Sequence, residues 1–330
     1  MMMTKKANVV LGLAALAGGL GFGAAAWAQQ GGYPNRPVTL VVPFPAGGTT
    51  DATARALAQK LGEQLKQPVV VDNKSGAGAS IGAGFVAKSK PDGYTLLVGS
   101  LANMVVNSYV YKSLPYNPQK DLLAVHGVMS MPVVIAARGN LPQKTLKDAI
   151  EFSKSKPDGL TYGSAGNGSV SHLTAEQMKT QTHAKFEHVP YKGSAPAITD
   201  LLAGNIDLAF DYAATTAPYF ETGKLIPLAV TSTKRLAILP QVPTLSELGY
   251  PQASVTSWIG VFVPAGTPVD IVSKLDAAIK EAARNPAVQD VVKKQGGEAF
   301  DLNGTELKNF VDAEHKRWKP VIENLGLTPN

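Results

Sequence analysis

Four strand-to-helix junctions of the 330-residue chain carry small or polar residues. Their shared chemistry is that of holding an anion with peptide groups. In Pro43-Phe44-Pro45-Ala46-Gly47-Gly48-Thr49-Thr50-Asp51, a strand ends at Val42 and a helix begins near Asp51. Gly47 and Gly48 can take positive φ, so that backbone N–H groups converge on one point. The free N–H groups and the dipole of the following helix favour negative charge there. Phe44, Ala46, Gly47 and Thr49 are candidate ligand contacts, against the plainer roles of a tight loop, a cap from Thr50 or Asp51, and a core position for Phe44. The second stretch, Asp72 to Gly82, contributes Ser80. The third, Ser100-Leu101-Ala102-Asn103, offers Ser100 and Asn103, with capping as the alternative role of Ser100. The fourth, Gly163 to His172, offers Ser164, Gly166, Asn167, Ser169 and His172, with Ser169 also suited to cap the next helix.

Other chemistries fit less well. Gly82-Ala83-Gly84-Phe85-Val86-Ala87 matches G-x-G-x-x-A in form, but it falls inside a predicted helix rather than at the strand–helix turn, so the phosphate geometry fails. No Gly-Lys-Ser/Thr occurs. Ser169 and His172 share a helix face and could form a nucleophile–base pair, yet no G-x-S-x-G elbow accompanies them. The histidines at 126, 172, 183, 188 and 315 include neither H-E-x-x-H nor an i, i+4 pair, so no metal is expected. Asp207 and Asp211 flank a strand; acid–base work is conceivable, and solvation of strand ends is the commoner reason for such a pair.

These loops need a frame to hold them. Short apolar, β-branched runs at 38–42, 69–71, 95–98, 133–136, 161–163, 188–190, 207–210, 228–230 and 259–263 lack clean polar alternation, as strands buried on both faces do. Helical patterns lie between them. Over 51–66, Ala54, Leu57, Ala58, Leu61 and Leu65 form one stripe. Patterns at 145–156, 169–180 and 195–203 follow. Towards the C-terminus, Thr267 is expected to cap a helix starting at Pro268, with Val269, Val272, Leu275 and Ile279 facing inward. A last helix carries Leu307, Phe310, Val311, Trp318, Val321 and Ile322 and ends near Gly326. Alternating strand and helix predicts an α/β fold. Ser130-Met131-Pro132 and Ser254-Val255-Thr256 each precede a strand. If both are crossovers, one lobe holds 33–131 and 256–330, and the other holds 132–255.

Composition narrows the classes. Hydrophobic residues make up 45% and charged residues 17%, which is globular. There is no cysteine, which removes disulfides, thiolate metal sites and thiol catalysis. The 31 basic and 25 acidic residues are interspersed without a long run of one sign, so nucleic acid is not an expected partner. Lys5 and Lys6, the apolar run 9–20 and Ala26-Trp27-Ala28 have the form of a secretory signal peptide over 1–28, with an uncleaved anchor as the alternative. Its removal takes two lysines and leaves a net charge of +4.

At the loops themselves the chain resembles a known family. Val-Pro-Phe-Pro-Ala-Gly-Gly-x-x-Asp at 42–51, Gly-Ala-Gly at 76–78, Ile-Gly at 81–82 and Pro-Asp-Gly-Tyr-Thr-Leu-Leu at 91–97 are similar to signatures of the Bug, or TctC, family, the substrate-binding proteins of tripartite tricarboxylate transporters. So are Ser-Ala-Gly-x-Gly-Ser-x-x-His-Leu at 164–173, Val-Pro-Tyr-Lys-Gly at 189–193, and Leu-Leu-Ala-Gly-x-Ile-Asp at 201–207 followed by Asp211. One departure is Asn73-Lys74-Ser75, where the family often has Asn-Arg-Pro. The resemblance spans roughly 33–325.

The resemblance implies a type II periplasmic-binding-protein fold, two α/β lobes with a ligand cleft between them, closing on a small organic carboxylate. It also implies delivery to membrane permease subunits, a periplasmic location, and no catalysis or cofactor. A monomer is the expected state. None of the four loops has an arginine ahead of its helix, and Lys74 is their sole cation. A carboxylate would therefore be met by N–H groups, hydroxyls and helix dipoles. Each dipole end contributes about 0.3–1 kcal/mol when exposed and up to ~2 when partly buried. Charge-assisted hydrogen bonds add roughly 1.5–3 kcal/mol each before binding costs. Asp211 would repel a second carboxylate and is expected to meet an amino, hydroxyl or water group, or to point away. The rival functions are an exported hydrolase using Ser169 and His172, and a ligand sensor docking on a signalling receptor.

Overall fold

The computed structural model describes residues 32–327; the signal-peptide segment 1–28 lies outside the described residues. Ten strands are present in the described chain: β1 Val38–Val42, β2 Val69–Asn73, β3 Thr95–Ser100, β4 Leu122–Arg138, β5 Leu160–Ser164, β6 Phe186–Pro190, β7 Leu208–Tyr212, β8 Leu225–Val230, β9 Thr256–Pro264 and β10 Glu298–Ala299. The helices are α1 Thr49–Leu65, α2 Ser80–Ala87, α3 Asn107–Val110, α4 Pro118–Asp121, α5 Leu146–Ser155, α6 Val170–Thr182, α7 Ser194–Ala203, α8 Ala213–Thr216, α9 Val269–Arg284, α10 Pro286–Lys294 and α11 Gly304–Leu325.

Strand β4 organises everything. The sequence pattern marks a short strand at 133–136; the structure extends it to 17 residues. Its first half pairs antiparallel with β9, from Leu122↔Pro264 to Pro132↔Thr256. From Val133 onward its partner is β7, beginning at Val133↔Tyr212, with β8 on its other edge. Pro132 has no N–H to offer a ladder, and the change of partner falls there. Val133 instead donates to the Thr231 hydroxyl at 2.8 Å. One sheet therefore runs β2-β1-β3-β9-β4 with β10 on β4, and the other runs β8-β4-β7-β5-β6.

Both sheets are covered on both faces, which explains the near-continuous apolar runs. Along β9, Ile259, Val261 and Val263 enter one cluster with Leu40, Leu57, Leu61, Leu275 and Ile279. Trp258 and Phe262, pointing the other way, enter a second with Val41, Leu97, Leu307 and Trp318. In the other sheet Ile135, Tyr162, Phe186 and Phe210 face α5 and α6, whereas Ala136, Ile198, Leu201 and Ile206 form a smaller cluster on the opposite side. The stripe on α1 is buried as its spacing predicts.

Two details at α9 depart from expectation. Val269 is 80% exposed rather than inward-facing. Thr267 does not cap the helix: its hydroxyl donates to the Pro264 carbonyl at 2.7 Å, closing the preceding turn, and Pro268 in extended conformation takes the cap position.

Candidate functional site

Strand direction decides where the loops go. β3 is antiparallel to β9, and β9 to β4, so β1, β2, β3 and the first half of β4 all run the same way, towards the second sheet. β7 is antiparallel to β4, and β5 and β6 are parallel to β7 and β5, so these three run back towards the first sheet. The carboxyl ends of the two parallel sets therefore confront one another, the position where open α/β sheets bind ligands. The two sides come close here: a methyl added at Gly168 would lie 3.9 Å from Val106 Cγ1. Leu173 of α6 also packs into the cluster that contains Trp318 and Ile322 of α11.

The first loop is built around Asp51, which is 3% exposed. Its Oδ2 accepts from the Gly47 N–H at 2.8 Å and from Arg55 Nε at 2.9 Å. Its Oδ1 accepts from Asn73 Nδ2 at 2.8 Å. The Arg55 hydrogen bond, aided by those from Gly47 and Asn73, outweighs burial and holds the carboxyl down at about 2. Asn73 also donates to the Phe44 carbonyl at 3.1 Å, tying β2 to the loop. Gly47, with φ +85°, thus directs its amide at an internal carboxylate, and the Arg55 guanidinium is taken up by the same group. Phe44 packs against the first core cluster, Ala46 is exposed, and Thr49 is half-buried as the first residue of α1.

The second loop places four successive residues, Gly76 to Ala79, at positive φ. Ala77 and Ala79 adopt this left-handed geometry against the usual cost of about 1–2 kcal/mol each. Asn107 holds them there, its Nδ2 donating to the Gly78 carbonyl at 2.7 Å and to Ser80 Oγ at 2.9 Å. Lys74 pairs with Asp72 at 3.0 Å and lies over the Phe85 ring. Gly82 and Gly84 sit inside α2, where a Cβ would press on Pro43 and on Pro115; their role is helix packing.

At the third loop, Asn103 Oδ1 accepts from both the amide and the hydroxyl of Ser100, at 2.7 and 3.0 Å. Tyr116 donates to the Asn103 carbonyl at 2.5 Å. The fully buried Asn103 Nδ2 finds no acceptor in the protein. The turn Ala102–Val106 is of π type, a local widening common at functional sites.

In the fourth loop, Ser169 caps α6 by accepting from the His172 N–H at 3.3 Å. The His172 ring turns away from that hydroxyl, and its Nδ1 accepts from the Gly168 N–H at 3.1 Å. Ser169 and His172 therefore do not form a nucleophile–base pair. Ser164 is buried; its Oγ accepts from the Gly166 N–H at 3.1 Å and lies 2.6 Å from His188 Nε2. Gly166 has φ +123° and Asn167 is exposed. Asp211, at the end of β7 and 2% exposed, accepts from the Tyr212 amide at 2.7 Å, from Thr215 at 3.1 Å and from Ser194. Burial nonetheless pushes its carboxyl up.

Sequence patterning missed Asn73, Asn107, His188, Ser194 and Thr215. Asn73, Asn107, His188 and Ser194 each act on a segment remote in sequence, where no local motif marks the contact; Thr215 lies four residues beyond Asp211, in the turn after β7. Among the described residues, no group of three or more His, Asp or Glu could hold a metal, and no helix is long and apolar enough to cross a membrane.

Two α/β lobes, joined through β4 and the return into β9, with glycine-bearing strand–helix turns opposed across their interface, define a type II periplasmic-binding-protein fold. Residues 53–327 match the profile of the tripartite tricarboxylate transporter family receptor, TctC, and the chain belongs to this family. Protein BugT of Bordetella pertussis is 37% identical, over 89% of this chain and 90% of its own. An R. palustris protein solved with adipate is 36% identical with a TM-score of 0.76, covering 90% of this chain and 100% of that one. MatC from Rhodopseudomonas palustris with bound malate is 33% identical with a TM-score of 0.73, covering 88% and 100%.

Proposed function

We propose that this chain is an extracytoplasmic receptor that closes its lobes on a small organic carboxylate and delivers it to the membrane subunits of a tripartite tricarboxylate-type transporter. One observation carries the proposal: opposed strand ends bring loops rich in amides and hydroxyls face to face, and the Arg55 guanidinium beside the first loop is bound to Asp51. A carboxylate between them is met by peptide donors, hydroxyls and helix dipoles. A few charge-assisted hydrogen bonds are enough for micromolar affinity, about −8 kcal/mol. The relatives solved with adipate and malate support a dicarboxylate as ligand.

In this proposal residues 33–131 with 256–330 form one lobe and 132–255 the other, hinged where β4 changes partner. Ala46, Thr49, Ser80, Ser100 and Asn103 act from the first lobe, and Ser164, Gly166, Asn167 and Ser169 from the second. Phe44, Gly47, His172 and Asp211 support the loops more than they touch the ligand: Phe44 packs against the core, the Gly47 amide donates to Asp51, His172 accepts from Gly168, and Asp211 accepts from Tyr212. The chain binds without transforming its ligand, and Ser169 serves as a helix cap. Cleavage after Ala28 releases it to the periplasm as a monomer. Native mass spectrometry of protein purified from an exporting host tests this. An acid of mass 100–250 Da (on the order of a small metabolite in a pocket of this class) is the expected co-purifying species; a bound peptide or nucleotide would overturn the proposal.

A further inference from the structure

Beneath the fourth loop three rings form a column. Tyr162 of β5 stacks on His188 of β6, centroids 4.9 Å apart and 18° from parallel. His188 stacks on His172 of α6 at 4.0 Å and 8°. Each imidazole also presents an in-plane nitrogen to the loop above. His188 Nε2 is 2.6 Å from the Ser164 hydroxyl, and His172 Nδ1 accepts the Gly168 N–H at 3.1 Å. Phenyl rings would stack as well but would leave both loop groups without these partners.

The two contacts bracket the turn that carries Gly166 and Asn167. We infer that His188 and His172 are positioning residues for the ligand loop: as neutral imidazoles they fix Ser164 and Gly168, and protonation of the pair releases the loop and weakens ligand binding. This rests on the assignment of that loop to the ligand site in the proposed function.

The charged groups facing the column are few. Glu176 of α6 accepts from the Tyr162 hydroxyl at 2.9 Å, pairs with Lys179 at 2.8 Å, and lies 4.0 Å from His172 Nε2. Glu187 is the acidic neighbour on β6 that reaches Tyr162. Burial first, then the adjacent His172 and Lys179, hold His188 down at about 4 against the pull of Glu176. Burial likewise lowers His172, aided by Lys179 and opposed by Glu176. Both rings are therefore neutral at pH 7. A protonated His172 would set an Nδ1–H against the Gly168 N–H, donor against donor. A released loop, with its imidazoles near their ordinary value of about 6.5, takes up protons that the held loop excludes. The held geometry is accordingly fully favoured above about pH 6.5 and is lost as the pH falls towards the lowered values.

The test combines a ligand-free and a ligand-bound readout on the mature chain. In the ligand-free protein, imidazole and amide nitrogen NMR is followed from about pH 7.5 down through the His188 value of about 4. The Gly168 amide is expected to shift together with the His172 and His188 ring nitrogens. Affinity for malate and adipate is then measured by calorimetry on wild type, His188→Phe and His188→Gln. Phe keeps the stack and loses the nitrogen, and is expected to weaken binding about tenfold at pH 7.5 and to flatten the pH profile between 7 and 5. Gln restores a hydrogen-bonding side chain and is expected to recover part of the loss. A Gly168 amide that stays still while the rings titrate overturns the inference, as does His188→Phe binding with wild-type affinity and pH profile. A moving amide with neither acid bound supports the positioning role and counts against malate and adipate as ligands, so the two failures are distinguishable.

Discussion

The amide of Gly47 donates to Asp51 Oδ2 at 2.8 Å, so the first loop of this receptor carries a carboxylate of its own. The pattern of glycines before a helix start is met by an internal anion, which preorganises the loop. Asp51→Ala strands the Gly47 amide and the Asn73 side chain together, and is expected to lower stability by about 1–3 kcal/mol. The Arg55 pair adds little to this, because that side chain is 52% exposed. Asp51 sits at about 2, below its ordinary value, so its contribution is complete above about pH 4 and is lost as the pH falls towards 2. Chemical denaturation of wild type and Asp51→Ala across that range checks both, the two curves converging in acid.

Gly166 holds φ +123°, and a Cβ there would lie 3.2 Å from the Tyr191 carbonyl. Gly166→Ala must twist the fourth loop or store about 1–3 kcal/mol of backbone strain. Carboxylate affinity is expected to fall at least tenfold while far-UV circular dichroism stays that of wild type. Unchanged affinity would remove this loop from the site.

Asp211 is buried among donors from its own lobe, and burial raises its carboxyl. A raised acid is less stabilising once ionised, so the sign is opposite to that of Asp51: the folded state weakens as the pH rises through the raised value. Asp211→Asn keeps an acceptor oxygen for Tyr212 and Thr215 and removes the charge. It is expected to melt no lower than wild type at pH 7.5 and to bind carboxylates several-fold more tightly. Thermal melts and calorimetry on the same sample check the pair.

Arg317 of α11 donates to the carbonyls of Gln252 and Ser254, at 3.1 and 2.5 Å, where the chain returns towards β9. Arg317→Met retains much of the apolar stem and loses both bonds. Stability is expected to drop by about 1–3 kcal/mol, and small-angle scattering of the ligand-free variant is expected to show a larger radius of gyration than wild type.

What the sequence revealed follows the range of the forces involved. The α1 stripe from Ala54 to Leu65 and the strand Val38–Val42 were legible, because burial imposes a local period. β4 was half legible: Gly127 and the Ser130-Met131-Pro132 segment break its apolar run, and only the pairing with β9 shows that one strand passes through. The four loops could be located, because small and polar residues between a strand and a helix start are a local signal. Which of their amides remain available could not, since that depends on Asp51 meeting Asn73 and on Asn107 meeting Gly78 across sequence gaps. The His172–His188 stack needs α6 and β6 to be brought together, and neither histidine announces the other.

The central claim is that uncharged donors from two opposed lobes capture a carboxylate. Isothermal titration calorimetry with malate, adipate and citrate, each beside its neutral amide, tests it most directly. At least one acid is expected to bind with micromolar or tighter affinity while its amide does not; binding of only the neutral amides, or of a cationic solute alone, would overturn the claim.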